Sequence, residues 1–286
     1  MSVPSLSLRI DWLSATKKEF PSWIQKGSRL SYSQSLNLAL WCFRNLSRSG
    51  DFETTKPNPH YGLAWRERQS GIVIHVPALP LEQGVLVVAS GHALGSMENA
   101  FDFLKVVHHS GWKATRIDVA YDLMDTGWNA SLLAAEWQKA NGEGSKRYTH
   151  HIVTTKGDTF YIGSRSSPKM LRIYDKGLEQ KTSLDWLRIE IELKHAAAKN
   201  ALSMLATSPY AATKDVLKLL ALPQLELTKW IAQAGGGGEG IKSTAPRVNS
   251  SRFAWIRDSV LPALEKMKAE EPHAYKEIIE MILAQY

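Results

Sequence analysis

The chain has 286 residues, 44% of them hydrophobic, enough for one large domain with a sizeable core or for a domain with an appendage. Its net charge of +7 suits a polyanionic partner without naming one. The single cysteine, Cys42, excludes an internal disulfide framework and a Cys-rich zinc site, and its apolar surroundings in "LNLALWCFRNL" predict an inert core thiol.

"LSLRIDWLSAT" alternates and predicts a first strand, and "SYSQSLNLALWCFRNL" predicts a helix opened by a serine cap. The N-terminus lacks the basic-then-apolar order of a secretion signal. No run reaches the roughly 18 apolar residues of a membrane span. A soluble protein in a reducing, intracellular setting, with no membrane contact, is the expectation. "LAWRERQSGIVIHVPAL" and "GVLVVASG" predict strands, followed by a serine-capped helix in "SMENAFDFLKVVHHSGW" that stops at Gly111. "ATRIDVAYDLMD" predicts a strand and "NASLLAAEWQKANG" a helix closed by glycine. "THHIVTTKGDTFYIGS" and "MLRIYDKGLEQ" predict a hairpin around Gly163-Ser164. "DWLRIEIELKH" predicts a further strand, leading into a helical section that runs to about Ala234.

These elements do not repeat as regular βαβ units. The expected fold is therefore α+β, a largely antiparallel central sheet with helices on one face. The four glycines of "QAGGGGEGIKSTAPRVNSS" cannot hold a fixed backbone cheaply. They predict a main domain over 1–234, a Gly-rich linker or loop over 235–250 and a C-terminal helical arm over 251–286, the arm broken before Pro272.

Strand alternation sorts side chains by face. Arg116, Asp118, Ala120 and Asp122 share one face of their strand, Arg188, Glu190 and Glu192 one face of theirs, and Arg172, Tyr174 and Lys176 one face of a third. Each strand alone reads as an amphipathic element meeting water. Together they offer more. Carboxylates on two strands suit a hard divalent cation, magnesium or manganese. A tyrosine beside Arg and Lys would have its phenolate stabilised. Carboxylates, metal, tyrosine and cations are the parts of a phosphodiester transesterification, in which the cations hold the DNA phosphate that Tyr174 attacks. Residues 145–199 carry eleven Lys/Arg against six Asp/Glu, so the positive excess surrounds this region.

"TRIDVAYD", "TFYIGSRSSPKMLRIYDK" and "WLRIEIELK" stand in the order and spacing of the replication initiation factor (Rep-trans) family, which the chain resembles from about Leu8 to Ala234. The resemblance implies an enzyme of rolling-circle replication in plasmids and filamentous phages. Such an enzyme nicks and rejoins one DNA strand at an origin through a 5′-phosphotyrosyl link, on a sheet fold shared by rolling-circle initiators. It implies Tyr174 as the nucleophile and Mg2+ or Mn2+ held by Asp118 and Glu190, with Asp122 and Glu192 as further candidates. Arg165, Arg172 and Lys176 would hold phosphate, with Lys169 in the same turn region and Arg188 as a further contact, while Tyr161 packs or stacks on DNA. Origin DNA is the implied partner, together with a host helicase or polymerase and a second copy of the chain. Relatives that act as relaxases carry an added helix-turn-helix domain, for which no segment before Leu8 is long enough. Two alternatives remain: a conjugative relaxase with the same chemistry, and a non-catalytic DNA-binding regulator of the same fold. The adjacent pairs His108-His109 and His150-His151 read as ordinary structural histidines, and "AGGGGEG" lacks the Gly-Lys-Ser/Thr ending of a phosphate loop.

Overall fold

Apolar residues alternating along Ser5–Lys17 (β1) place Leu13 and Ala15 in the core. The computed structural model describes residues 5–25, 27–48, 50–97, 99–141, 149–154, 157–182, 185–208 and 261–283. The chain divides into two compact units, 1–244 and 245–286. The expected helical run to Ala234 beyond residue 208 and the Gly-rich linker lie outside the described residues.

In the first unit, β1 leads to α1 (Tyr32–Asn45), opened by a reciprocal cap in which Ser31 Oγ accepts from Gln34 N and Gln34 Oε1 accepts from Ser31 N. Next come β2 (Phe52–Thr55), β3 (Leu63–Glu67), β4 (Val73–Val76), the short α2 (Pro80–Gln83) and β5 (Val85–Ser90). The expected serine cap after them is misplaced. Ser96 ends the short α3 (Gly91–Gly95), and Asn99 caps α4 (Ala100–His109) through Oδ1, which accepts from Phe101 N. The chain continues through β6 (Lys113–Met124), α5 (Ala130–Asn141), β7 (Thr149–Thr154), β8 (Gly157–Ile162), β9 (Lys169–Asp175), α6 (Lys176–Glu179), β10 (Trp186–Lys194) and α7 (His195–Thr207). The single hairpin expected around Gly163 is thus a three-stranded meander, β7-β8-β9. Gly163 has φ +93, and a Cβ there would meet the Lys169 carbonyl oxygen at 2.9 Å, so the β8–β9 turn requires glycine.

All the described strands join one sheet of ten, in the order β2-β3-β4-β5-β1-β6-β10-β9-β8-β7, and each of their pairings is antiparallel. One face of its centre carries Ile117, Val119, Tyr121, Ile189, Ile191, Ile173 and Phe160. These form a single core with residues of α1, α4, α5 and α7. Cys42 is fully buried there, and burial pushes its thiol far above the usual range, as an inert core thiol requires. The fold class expected from sequence therefore holds. No described helix is long and apolar enough to cross a membrane.

In the second unit α8 (Leu261–Glu270) and α9 (Pro272–Leu283) meet at Glu271. Proline sits at the first position of α9, where its missing N–H costs nothing. Tyr275 N donates to the Glu271 carbonyl, and Lys268 lies 5.8 Å from the Tyr275 ring centre.

Candidate active site on the polar sheet face

The other face of the sheet centre is built from ionisable groups, and the pairing register makes them neighbours. Glu192 stands opposite Asp118, and Arg188 lies between Asp122 on β6 and Tyr174 on β9. Glu190 stands opposite Arg172, which in turn stands opposite Tyr161 on β8. Three strands thus bring seven expected site residues, Asp118, Asp122, Arg172, Tyr174, Arg188, Glu190 and Glu192, to one face, with Tyr161 of β8 beside them.

Tyr174 Oη donates to Glu190 Oε2 at 3.2 Å, and Arg172 Nη2 ion-pairs with Oε1 of the same buried carboxylate. The Arg172 guanidinium and the Lys176 ammonium each lie 5.6 Å from the Tyr174 ring centre. Lys176 is not on the strand as expected. β9 stops at Asp175, and Lys176 opens α6, where it pairs with Glu179. The expectation that cations lower the phenol's pKa also fails. Burial, and then the Glu190 charge, push it well above its ordinary value, while Arg188 and Arg172 oppose this only in part. Tyr174 is therefore a protonated phenol hydrogen-bonded to a carboxylate, beside a cavity of about 170 Å3 that Tyr161, Arg172, Asp175 and Glu179 also line.

Asp118 receives two hydrogen bonds from Arg116, from Nε at 2.8 Å and from Nη2 at 2.5 Å, and the same Nη2 reaches Glu192 at 2.8 Å. Lys194 Nζ closes the group on Glu192 at 2.5 Å. Burial pushes the Asp118 carboxyl up to about 6 against the pull of Arg116, and Glu190 and Glu192 add to the rise. Asp118 and Glu192 already converge on one cationic nitrogen, beside a third carboxylate, and all the donors are oxygen. That chemistry fits magnesium or manganese. Among the described residues, however, no three His, Cys, Asp or Glu side chains stand as a ready ligand set.

Asp122 and Arg188 differ from expectation. Arg188 holds Asp122 in a two-pronged pair, Nε at 2.6 Å and Nη2 at 2.8 Å, and Trp186 Nε1 adds a third bond at 2.8 Å. Arg188 Nη1 donates to Asp11 at 3.1 Å. The Arg188 side chain is only 2% exposed. Its donors are committed inside the protein, so it is no phosphate contact in this arrangement, and Asp122 has little left to offer a metal. Asp11 reaches Arg188 because the β1–β6 register slips between Ile10 and Trp12. A Cβ on Gly91 would come within 2.7 Å of Asp11 Oδ1, so this close approach requires glycine too.

Arg165 is exposed in the β8–β9 turn, where its carbonyl accepts from Lys194 Nζ at 2.5 Å. That turn is not beside Tyr174, as expected. Lys169 opens β9 and Tyr174 stands five residues on, about 17 Å along an extended strand. The intervening odd number of steps also points Lys169 to the opposite face. Sequence reading gave no role to Arg116, Trp186 or Asp11. Alternation in "TRID" marks Arg116 as a face-mate of Asp118, whereas nothing local marks the slip that brings in Asp11.

Comparison with known proteins adds three findings. A family model described as replication initiation factor matches residues 112–283, which contain all three motifs and extend through α9. Comparison with curated proteins finds no significant match. Among solved structures the chain is similar to a rolling circle replication initiator protein from Geobacillus stearothermophilus. The TM-score is 0.60 at 19% identity, over 76% of this chain and 84% of that one, a likeness of fold.

Proposed function

The chain belongs to the replication initiation factor family, and from that premise we propose that it initiates rolling-circle replication by cutting one DNA strand at an origin and remaining joined to it through Tyr174. The observation that carries this reading is the hydrogen bond from Tyr174 Oη to Glu190 Oε2, 3.2 Å long, beside an ion-paired Arg172.

A phenol with a raised pKa is a poor nucleophile unless a base takes its proton as it attacks. Glu190 Oε2 is placed to accept it. As Tyr174 Oη bonds to phosphorus, the bond from phosphorus to the 3′ oxygen breaks, and that oxygen leaves as a 3′-hydroxyl after protonation by water. Arg172, a third exposed, faces the cavity and would hold a non-bridging oxygen of the phosphate. Exchanging one phosphodiester for another conserves the bond energy, so rejoining needs no ATP. Asp118 and Glu192, which converge on one Arg116 nitrogen, with Glu190 beside them, are the residues that would hold Mg2+ or Mn2+. The chemistry such an ion supplies when bound is neutralisation of charge on the phosphodiester. The protein would act on origin DNA in the cytoplasm of its bacterial host.

The test is incubation with supercoiled DNA carrying candidate origins, scoring relaxation and covalent protein–DNA adduct. Tryptic mapping should place the DNA on the peptide from Ile173 to Lys176. Tyr174→Phe should abolish nick and adduct while Tyr161→Phe retains both. An adduct at Tyr161, or nicking by Tyr174→Phe, would overturn the assignment.

A further inference from the structure

The polar face is not polar to its edge. Beyond Tyr161, alternation and register put His150 and Ile152 of β7 and Met170 of β9 on the face that carries Arg172 and Tyr174. With Gly163, Ser164 and Arg165 of the turn they line a cavity of about 260 Å3. Ile152 is 38% exposed, so an apolar side chain faces this hollow without being covered. The His150 and Tyr161 rings lie 6.4 Å apart, inclined by 34°. Core packing does not explain these residues, because the core lies on the other face with Phe160 and Ile173.

A concave, largely apolar hollow with a few polar groups at its rim is the usual form of a small-ligand site. Aromatic and aliphatic walls suit the flat face of a nucleobase, which stacks whatever its identity. The Ser164 hydroxyl and the Arg165 guanidinium offer hydrogen bonds to a base edge or to its phosphate. Tyr161 is the shared wall: it also lines the cavity beside Tyr174 and Arg172. A nucleotide whose phosphate rests at Arg172 therefore has its neighbour's base within reach of this hollow.

We propose that the cavity lined by His150, Ile152, Tyr161 and Met170 receives one unstacked nucleobase of the cleaved strand, next to the scissile phosphate. The idea rests on the DNA-cutting role proposed above, but its binding arm is read without any cutting. A base inserted here would hold the strand against sliding, so that one phosphate and not its neighbour stays before Tyr174.

The experiment uses the full chain with two single-stranded probes of equal charge, a twelve-residue oligothymidylate and its twelve-residue abasic counterpart. Fluorescence anisotropy over a range of salt gives affinity and salt slope for each. The wild type should prefer the thymidylate on the order of tenfold. Tyr161→Ala and, separately, Ile152→Glu should remove most of that preference, while Tyr161→Phe keeps it. Ile152 lines this cavity and not the one at Tyr174, so its variant separates base binding from phosphate binding. Variants that keep the full wild-type preference, or a wild type that shows none, would overturn the proposal. Base preference lost in the variants, with no nicking of supercoiled DNA by the wild type, would support the base site and sink the initiator reading instead.

Discussion

Two arginine–carboxylate pairs stand a few ångströms apart on one sheet face and do different work. Arg188 and Asp122 are almost wholly buried, with Trp186 and Asp11 taking most of the hydrogen-bonding capacity that remains. Arg172 and Glu190 share the chemistry, but Arg172 is 34% exposed, and the second oxygen of Glu190 holds the hydroxyl of Tyr174. A charge pair buried this deeply, with most of its bonds already made inside the protein, holds the fold together. A pair left half open beside a cavity can exchange partners when a phosphate arrives. Residue type does not separate the two; burial and the number of bonds already made do.

The largest effect should come from cutting each pair at its arginine. Arg188→Ala leaves Asp122 buried without its main partner, a loss of about 3–5 kcal/mol of stability. Arg172→Ala should cost less, about 1–2 kcal/mol, because water can reach the vacated place. Its penalty should fall on the nicking rate, on the order of 10²–10³. Urea titration and a relaxation assay on both variants check the contrast. Equal stability losses, or nicking by Arg172→Ala at the wild-type rate, would erase the distinction between the pairs.

The carboxylates differ through their arginines: Arg116, which holds buried Asp118, is a third exposed, whereas Arg188, which holds Asp122, is buried. Asp118→Asn should remove nicking by roughly a hundredfold or more while single-strand binding persists, because a neutral amide is a far weaker ligand for a hard cation. A chelator should reproduce that loss in the wild type, with magnesium or manganese restoring activity. Asp122→Asn should lower the unfolding midpoint and leave the metal requirement as it is. Activity undiminished in chelator would remove Asp118, Glu190 and Glu192 from a metal-holding role.

Much of this was legible in the sequence, for a simple reason. The period-two pattern of "TRIDVAYD", "LRIYDK" and "WLRIEIEL" fixes which side chains share a face, and antiparallel pairing does the rest. What alternation cannot report is depth. Arg188 and Arg172 look alike in their strands, and only the neighbours in space, Trp186 and a displaced Asp11, bury one of them. The direction of the Tyr174 shift was missed on the same ground: the nearby cations were visible, but the desolvation that outweighs them was not. Strand ends were equally hidden, which put Lys176 on β9 rather than in α6 and drew the Arg165 turn too close to Tyr174.

That misplaced turn sets the smallest effect and the finest test of the comparison. Arg165 lies at the far end of β9 from Tyr174, exposed, and on the rim of the apolar cavity. In the proposed complex it would meet a phosphate of the strand other than the scissile one. Arg165→Ala should therefore weaken single-strand binding only a few-fold and lower the salt slope by about 0.7, one contact's worth. The nicking rate at saturating DNA should stay as it is, because a contact made equally before and during the reaction changes affinity and not turnover. Lys169→Ala, on the opposite face, should change affinity less than Arg165→Ala. If Arg165→Ala instead slows nicking at saturation, the turn must fold toward Tyr174 when DNA binds, and the distance along β9 would no longer separate positioning from chemistry.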